Sequence, residues 1–522
     1  MRPIGLVKGP AESPYEFKFI TPDNSILKNG EFVYYLHNGR KVICRVVKRN
    51  PLRQYPDLYL SNPSVPPEKI LKTIGLSNRE FDLYEIKAVI MGYFDKKLGF
   101  INPRIPPKTG QPVYIAEREV IEEALLKRKR GEFGSMHVGY LLNREEDIPV
   151  TIDTALAVSE HVAILASTGS GKSYLAGVIV EELLKPYNRA AVIVFDPHGE
   201  YHTLKEIEGL DEFREGDYNP TVRVFEREDI KLRLSELELD ELVNILPNLT
   251  DKMEAVLSRI YRDLSGDHFT VNDLIRRIEE LGKEDKSNET TAKGLLWRIE
   301  RYLKEMDLID DYRHMELKSL AKPGQASILQ MTEMSDLEQE ILVSALMKRI
   351  LKARINAEKG NAGEKLEYPV FVIIEEAHRF ASRDSRSFKV LRTILSEGRK
   401  FGVGVCLISQ RPSKIDSDIL SQCMTQIVMR IVNPTDQENI RRSVESIGRD
   451  LIDELPGLTK GQAIVAGVSV NAPILIRVRE RLTKHGGAGK IAPEEWRRWS
   501  EKNKEEKIKF KDEDLSLFWD ED

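Results

Sequence analysis

The eight residues 166–173, Ala-Ser-Thr-Gly-Ser-Gly-Lys-Ser, constrain this chain more than any other stretch. An apolar run at 162–165 precedes them and a helix-like run at 174–184 follows. Strand, glycine-rich loop ending in Gly-Lys-Ser, then helix is the order in which a P-loop wraps phosphate. The loop residues Ser167, Thr168, Gly169, Ser170 and Gly171 supply amide N–H groups, and the helix N-terminus adds partial positive charge. Lys172 is expected to reach the β- and γ-phosphates and the Ser173 hydroxyl to hold Mg²⁺, with Tyr174 beside them. The first position of the pattern, usually glycine, is Ala166. Alanine resists a positive φ, so the loop has to turn without that freedom. The chain is expected to bind a nucleoside triphosphate.

Hydrolysis needs an acidic partner. Residues 370–374 read as an apolar strand that ends in Glu375-Glu376. Glu375 is expected to hold the metal through its water shell, and Glu376 to polarise the attacking water as general base. His378 does not complete an HExxH zinc motif and reads as an orienting neighbour. The stretch Asp196-Pro197-His198-Gly199-Glu200-Tyr201 follows another strand, and strand C-termini of an open α/β sheet form the ligand crevice. Asp196 and Glu200 are placed to reach Mg²⁺ or water; an aspartate that only stabilises the turn is the alternative. After the strand at 403–408 comes Ser409-Gln410-Arg411-Pro412. Gln410 can hydrogen-bond the γ-phosphate or the water, with Arg411 next to it at the nucleotide.

Two further sets of charges suggest an assembly acting on a polyanion. Arg399, at the end of a helix just before that strand, is the candidate arginine finger reaching a neighbouring subunit's γ-phosphate. Arg411 and Arg442 are rivals, and an arginine merely pairing with its helix dipole is the alternative. Arg379, Arg383, Arg386 and Lys389 follow Glu376 with only Asp384 opposing them, a charge pattern that neutralises phosphates without reading bases. Solvated helix residues are the alternative.

Residues 1–120 read as a small β-barrel: runs at 15–20, 31–36, 41–47, 84–94 and 112–115 are separated by turn formers and a Pro-rich stretch from 51 to 67. A helical linker at 121–138 ends its helix in the basic run Lys127-Arg128-Lys129-Arg130. That run is expected to be a solvated helix end favoured by the dipole, or a phosphate contact. The ATPase core takes residues 139–228 and 323–485, where strands alternate with helices as in a mainly parallel sheet. Between them, 229–322 turns to helical periodicity with high charge, an inserted helical subdomain. Residues 486–522 form a C-terminal extension.

With 41% hydrophobic and 31% charged residues, the composition is that of a soluble globular protein. The Lys, Arg and Glu content with three cysteines leans toward a thermophilic source. Cys44, Cys406 and Cys423 lack CxxC spacing and are expected to be buried thiols in a reducing cytosol. No signal-peptide core and no apolar run of about 18 residues appears, so no membrane span is expected. The formal net charge is −5, but residues 512–522 alone hold six acids and no base. The body is thus near neutral and can line a positive channel. Leu515, Leu517, Phe518 and Trp519 stand between those acids, and the tail is expected to dock on a partner or neighbouring subunit.

Taken together, the motifs resemble the HerA family of archaeal hexameric DNA translocases, in the HerA/FtsK branch of RecA-like motor ATPases. The resemblance rests on 166–173, on Asp-Pro-His-Gly-Glu-Tyr at 196–201, on Glu-Glu-Ala-His-Arg-Phe at 375–380, and on 398–412, Gly-Arg-Lys-Phe-Gly-Val-Gly-Val-Cys-Leu-Ile-Ser-Gln-Arg-Pro. It implies an α/β fold: a RecA-like P-loop core with a mainly parallel sheet, an N-terminal barrel and a helical insertion. It further implies ATP and Mg²⁺, a homohexameric ring on double-stranded DNA, a NurA-type nuclease and other break-processing repair proteins as partners. Rival readings are a membrane-anchored DNA pump, which would carry a tether, and a rotary ATPase-like subunit indifferent to DNA. A GTPase switch would need NKxD, and the only Asn-Lys pair, Asn503-Lys504, lacks the aspartate.

Overall fold

The computed structural model describes residues 2–487 apart from 23–25, 53–63, 65, 67–68, 70–82, 145–146, 266–267 and 285, together with 492–500. Most of the Pro-rich stretch and the acidic tail 512–522 lie outside the described residues.

The N-terminal strands are β1 (Gly5–Pro10), β2 (Glu16–Thr21), β3 (Phe32–His37), β4 (Arg40–Pro51), β5 (Tyr84–Asp95), β6 (Gly99–Ile101) and β7 (Pro112–Ile115). They run in the order β2-β1-β7-β3-β4-β5, and pairing of β2 with β5 closes the ring; β6 is a hairpin extension of β5. Closure removes free strand edges. Alternation sends Phe17, Phe19, Tyr35, Ile86 and Ile90 inward, as a two-residue side-chain period requires. The barrel is the expected one, with one strand the sequence hides. In β1, Gly5 packs so closely on β2 that a Cβ would stand 2.4 Å from the Ile20 carbonyl oxygen.

Helix α1 (Arg118–Leu125) buries Val120, Ile121, Ala124 and Leu125 and stops where Leu126 turns extended. The basic run 127–130 therefore lies beyond the helix, not in its last turn, and the dipole reading of it falls. Arg128 instead holds Asp153 at 2.9 Å, while Lys127, Lys129 and Arg130 are exposed.

The second sheet contains β8 (Ser135–Leu141), β9 (Pro149–Asp153), β10 (Val162–Leu165), β11 (Ala191–Asp196), β12 (Thr221–Phe225), β13 (Gln325–Gln330), β14 (Val370–Ile374), β15 (Val403–Ser409), β16 (Thr425–Met429), β17 (Gln462–Gly467) and β18 (Ile474–Val478). Its order is β12-β13-β11-β14-β15-β10-β16-β17-β18-β8-β9. From β12 to β16 neighbours are parallel; from β16 to β9 they are antiparallel. The central parallel strands β10, β11, β14 and β15 are buried and apolar in the middle, while edge strand β12 exposes Arg223, because the sheet's centre has both faces covered by helices. These include α2 (Thr154–Ser159) and α3 (Lys172–Leu183).

The expected insertion is helical: α4 (Leu239–Ile245), α5 (Asp251–Leu264), α6 (Val271–Glu284), α7 (Glu289–Arg298) and α8 (Leu317–Leu320). Leu257, Ile260, Leu274, Ile278 and Leu295 join the core on that side of the sheet. Next comes α9 (Asp336–Lys359), opened by a Ser335/Glu338 capping box and closed by Gly360 at φ +69°. The remaining helices are α10 (Phe388–Glu397), α11 (Ser417–Ser421), α12 (Pro434–Ser443) and α13 (Arg449–Glu454). Arg45 of the barrel meets Asp450 at 2.6 Å, and Arg144 meets Glu31 at 2.8 Å, so ion pairs tie barrel to core. The three cysteines are buried and free.

Candidate functional site

Strand β10 sits between β15 and β16, and its C-terminal end feeds the loop directly into α3. Gly169 (φ +78°) and Gly171 (φ +104°) make the left-handed turns. Ala166 is not among the residues with positive φ; it is buried and its N–H extends the ladder to the Ser409 carbonyl at 3.1 Å. Alanine is tolerated there because the position needs no positive φ and its N–H continues the pairing of β10 with β15. The loop is held from outside by the Arg430 carbonyl, which accepts from Ser167 N–H at 2.8 Å and Ser170 Oγ at 3.2 Å. Gly461 N–H donates to the Ser170 carbonyl at 3.0 Å. Among the described residues, the N–H groups of Thr168, Gly169 and Gly171 have no acceptor. Such a row of unpaired amides at a helix N-terminus is an anion cradle.

Four elements converge on this cradle. Lys172 Nζ stands 3.1 Å from Glu375 Oε2, 3.2 Å from Glu376 Oε1 and 3.4 Å from Ser173 Oγ. All three of these charged side chains are buried. Burial disfavours the Lys172 ammonium, yet the two carboxylates outweigh it and raise its pKa above the ordinary lysine value. Burial likewise opposes ionisation of Glu376, but His198, His378 and Lys172 hold its carboxyl well below the usual range. Gln410 spans the site: its Nε2 donates to Glu376 Oε1, and its Oε1 accepts from Thr168 Oγ1 at 2.5 Å. Glu376 is itself left-handed at φ +50°, a conformation costing a non-glycine residue of order 1 kcal/mol. Its Oε2 has no hydrogen bond among the described residues and faces His378 Nδ1 at 3.2 Å.

The 196–201 stretch contributes differently from expectation. Asp196 is fully buried and its carboxylate accepts the N–H groups of His198, Gly199, Glu200 and Tyr201 at 2.8–3.2 Å. It is the turn-building aspartate, with its lone pairs spent on backbone. Glu200 packs against Gly486 and Gly487. The side chains that reach the site are the two passed over: Tyr201 OH donates to Glu375 Oε1 at 2.5 Å, and His198 Nε2 lies 3.5 Å from Glu376 Oε1. Tyr174 OH accepts from Arg481 N–H at 2.7 Å.

Arg399 is exposed and lies at the other end of β10 from the cradle, where its guanidinium meets Glu160 at 2.5 Å. It cannot serve the nucleotide site of its own chain. Arg411 is exposed beside Gln410, and Arg442 pairs with Glu438 at 2.9 Å. The expectation that only Asp384 opposes the 379–389 cations is overturned. Arg379 pairs with Asp336, Arg383 with Asp416 at 2.5 Å and Arg386 with Glu340 at 3.1 Å. The opposing acids come from α9 and the cap of α11, invisible to a local reading. Lys389 is exposed with no ion pair among the described residues.

Mg²⁺ fits the donor set. Ser173 Oγ and Glu375 Oε2 both lie within 3.4 Å of one ammonium, that of Lys172, which stands in for a cation there. Among the described residues no group of three or more His, Cys, Asp or Glu side chains is placed to hold a metal, and no helix is long and apolar enough to cross a membrane.

The family described as the central domain of helicase HerA matches residues 136–350. A probable helicase of Methanocaldococcus jannaschii is 32% identical over 437 residues, 80% of each chain. The DNA double-strand break repair helicase HerA of Pyrococcus furiosus is 28% identical over 544 residues, 93% of this chain and 94% of that one. In fold, VirB4 of Thermoanaerobacter pseudethanolicus superposes with a TM-score of 0.50 at 15% identity, covering 68% of this chain and 98% of that one. A P-loop core of this build, matched over most of its length by such relatives, makes the chain a member of the HerA helicase family.

Proposed function

We propose that this protein is an ATP- and Mg²⁺-dependent DNA translocase or helicase. It works as a homohexameric ring on double-stranded DNA, with a NurA-type nuclease and other break-processing repair proteins, in resection of double-strand break ends. The observation that carries the reading is the closed set Lys172–Glu375–Glu376–Gln410–Thr168, which holds a general base, a phosphate-binding lysine and a polar bridge between them.

In the resting arrangement the Lys172 charge is spent on Glu375 and Glu376. An incoming triphosphate would draw the ammonium onto its phosphates and release both carboxylates. Ser173 and Glu375 would then hold Mg²⁺, which when bound neutralises phosphate charge. Glu376, kept ionised, accepts a proton from water. Gln410, tied at one end to Thr168 and at the other to Glu376, registers whether the γ-phosphate is present. Arg399, exposed at the opposite sheet edge, would complete a neighbouring subunit's site in exchange for Glu160.

The test is ATPase turnover with and without duplex DNA, together with native mass. A hexamer stimulated several-fold by duplex DNA is expected. A monomer that hydrolyses nothing, with or without DNA, overturns the reading. Mixing Arg399→Ala with Lys172→Ala protein should recover activity if the arginine acts between subunits; mixed rings without recovery remove that role.

A further inference from the structure

Two buried arginines and a buried glutamate take no part in the nucleotide site. Glu181, within α3, is fully buried, and its carboxylate is filled by one stretch of chain, the residues after β18. Arg479 donates to its Oε2 at 2.8 Å, while Leu482 N–H, Thr483 N–H and Thr483 Oγ1 donate to its Oε1 at 2.8–3.0 Å. Arg479 also reaches Glu182 at 3.0 Å. Beside them, Arg481 N–H holds Tyr174 OH, and the Arg481 guanidinium lies so close to Gly177 that a Cβ there would stand 2.6 Å from it. A buried carboxylate stripped of such partners is costly. Residues 479–483 are therefore fastened to the helix that opens with Lys172 and Ser173.

The same stretch ends on the 196–201 turn. Lys484 N–H donates to the Glu206 carboxylate at 2.9 Å, and the Lys484 carbonyl accepts from Thr203 Oγ1 at 2.7 Å. Gly486 then lies against the turn itself: a Cβ there would stand 2.6 Å from the Glu200 carbonyl oxygen and 2.9 Å from His202 Cε1. An approach this close to backbone suits only glycine. The Glu200 carbonyl shares a peptide plane with Tyr201 N–H, and a planar peptide moves as one unit. That N–H is bonded to Asp196 Oδ2 at 3.1 Å, and the Tyr201 hydroxyl holds Glu375 Oε1 at 2.5 Å. Pressure on the Glu200 carbonyl thus reaches the proposed Mg²⁺ ligand through one peptide and one side chain, in packing too dense to absorb it.

We propose, on the ATPase reading above, that residues 479–487 are a positioning strap for hydrolysis, clamped to α3 at one end and to the 196–201 turn at the other. Gly486 is its positioning residue and sets the distance of Tyr201 from Glu375. The strap ties the helix that carries Lys172 to the turn that steadies Glu375. The geometry of that pair is then set twice, by their own 3.1 Å contact and through the strap. When a triphosphate draws Lys172 away, the direct contact goes and the strap remains. Glu375 then keeps its orientation while its counter-charge is exchanged.

The test is steady-state ATPase of full-length Gly486→Ala, Tyr201→Phe and the double variant beside native protein. Gly486→Ala should lower kcat about tenfold, as loss of the same buried hydrogen bond implies. KM for ATP should stay near native, because the phosphate cradle is untouched, and the loss should shrink at high Mg²⁺. Both changes act through one hydroxyl, so the double variant should be no slower than Tyr201→Phe alone. Gly487→Ala meets only the end of the Glu200 side chain, at 2.8 Å, which can turn aside, and should cost far less. Thr483→Val, which removes one donor to Glu181, is the second route if Gly486→Ala folds poorly; its loss should likewise disappear in the Tyr201→Phe background. Losses that multiply, a native kcat in Gly486→Ala, equal losses at 486 and 487, or a raised KM with native kcat overturn the strap alone. Native protein that hydrolyses no ATP overturns the ATPase reading and the strap with it.

Discussion

The loop after β14 carries two sets of charges with opposite fates. Glu375 and Glu376 are buried, face a buried lysine, and are shared among Tyr201, Gln410 and two histidines. Only a few residues later, Arg379, Arg383 and Arg386 lie toward solvent, each with one acid. In the first set a partner can be exchanged but not simply lost, because a buried charge without a counter-charge is costly. In the second, water replaces a lost partner and little changes. Charge near a site thus carries information only when burial makes its pairing obligatory.

The largest effects should come from breaking the buried set. Lys172→Ala removes the phosphate contact and leaves two buried carboxylates facing each other, so turnover should fall at least about 10²–10³-fold and the melting temperature should drop. Glu376→Gln keeps shape and removes the base, for a loss of about 10²–10⁴-fold, and because Glu375 still faces Lys172 its melting temperature should drop less. Steady-state ATPase assays and thermal melts on the same preparations separate the two. Full turnover in the Glu376→Gln protein would strip Glu376 of its role.

Tyr201→Phe probes the middle of the scale. It deletes one hydroxyl and leaves Glu375 Oε1 without its donor in a fully buried setting. An orphaned buried acceptor costs about 1–3 kcal/mol, so turnover should fall about tenfold. Because Glu375 is also a proposed Mg²⁺ ligand, the loss should shrink at high Mg²⁺. A loss insensitive to Mg²⁺ would make Tyr201 a packing residue.

Much of this was legible before any coordinates. The parallel strands announce themselves as apolar runs ending in functional residues, and Lys172, Glu375, Glu376 and Gln410 meet because strand C-termini share one edge. What local pattern could not reveal was pairing across distance. Asp196 looked like a ligand because its four backbone donors are not side chains and leave no trace in sequence. Tyr201 carries no local mark of its role, because its partner is 174 residues away. The arginines looked unopposed because Asp336, Glu340 and Asp416 arrive from other elements. Strand β18 and the β8–β9 pair were missed because antiparallel additions carry no helix between them to set the rhythm.

The smallest effects test whether the surface set matters to DNA. Charge removal is the wrong experiment, since arginines already paired have little to lose. Freeing them is sharper: Asp336→Asn, Glu340→Gln and Asp416→Asn together release Arg379, Arg383 and Arg386 from their acids. If these arginines face DNA, duplex affinity should rise modestly at low salt. The slope of log K against log salt should then steepen by about 0.9 for each new phosphate contact, as fluorescence anisotropy across a salt series would measure. An unchanged slope would mean that the segment faces away from DNA. The solvated reading of its arginines would then stand, and Lys389, exposed and without an ion pair among the described residues, would be the remaining candidate on that loop.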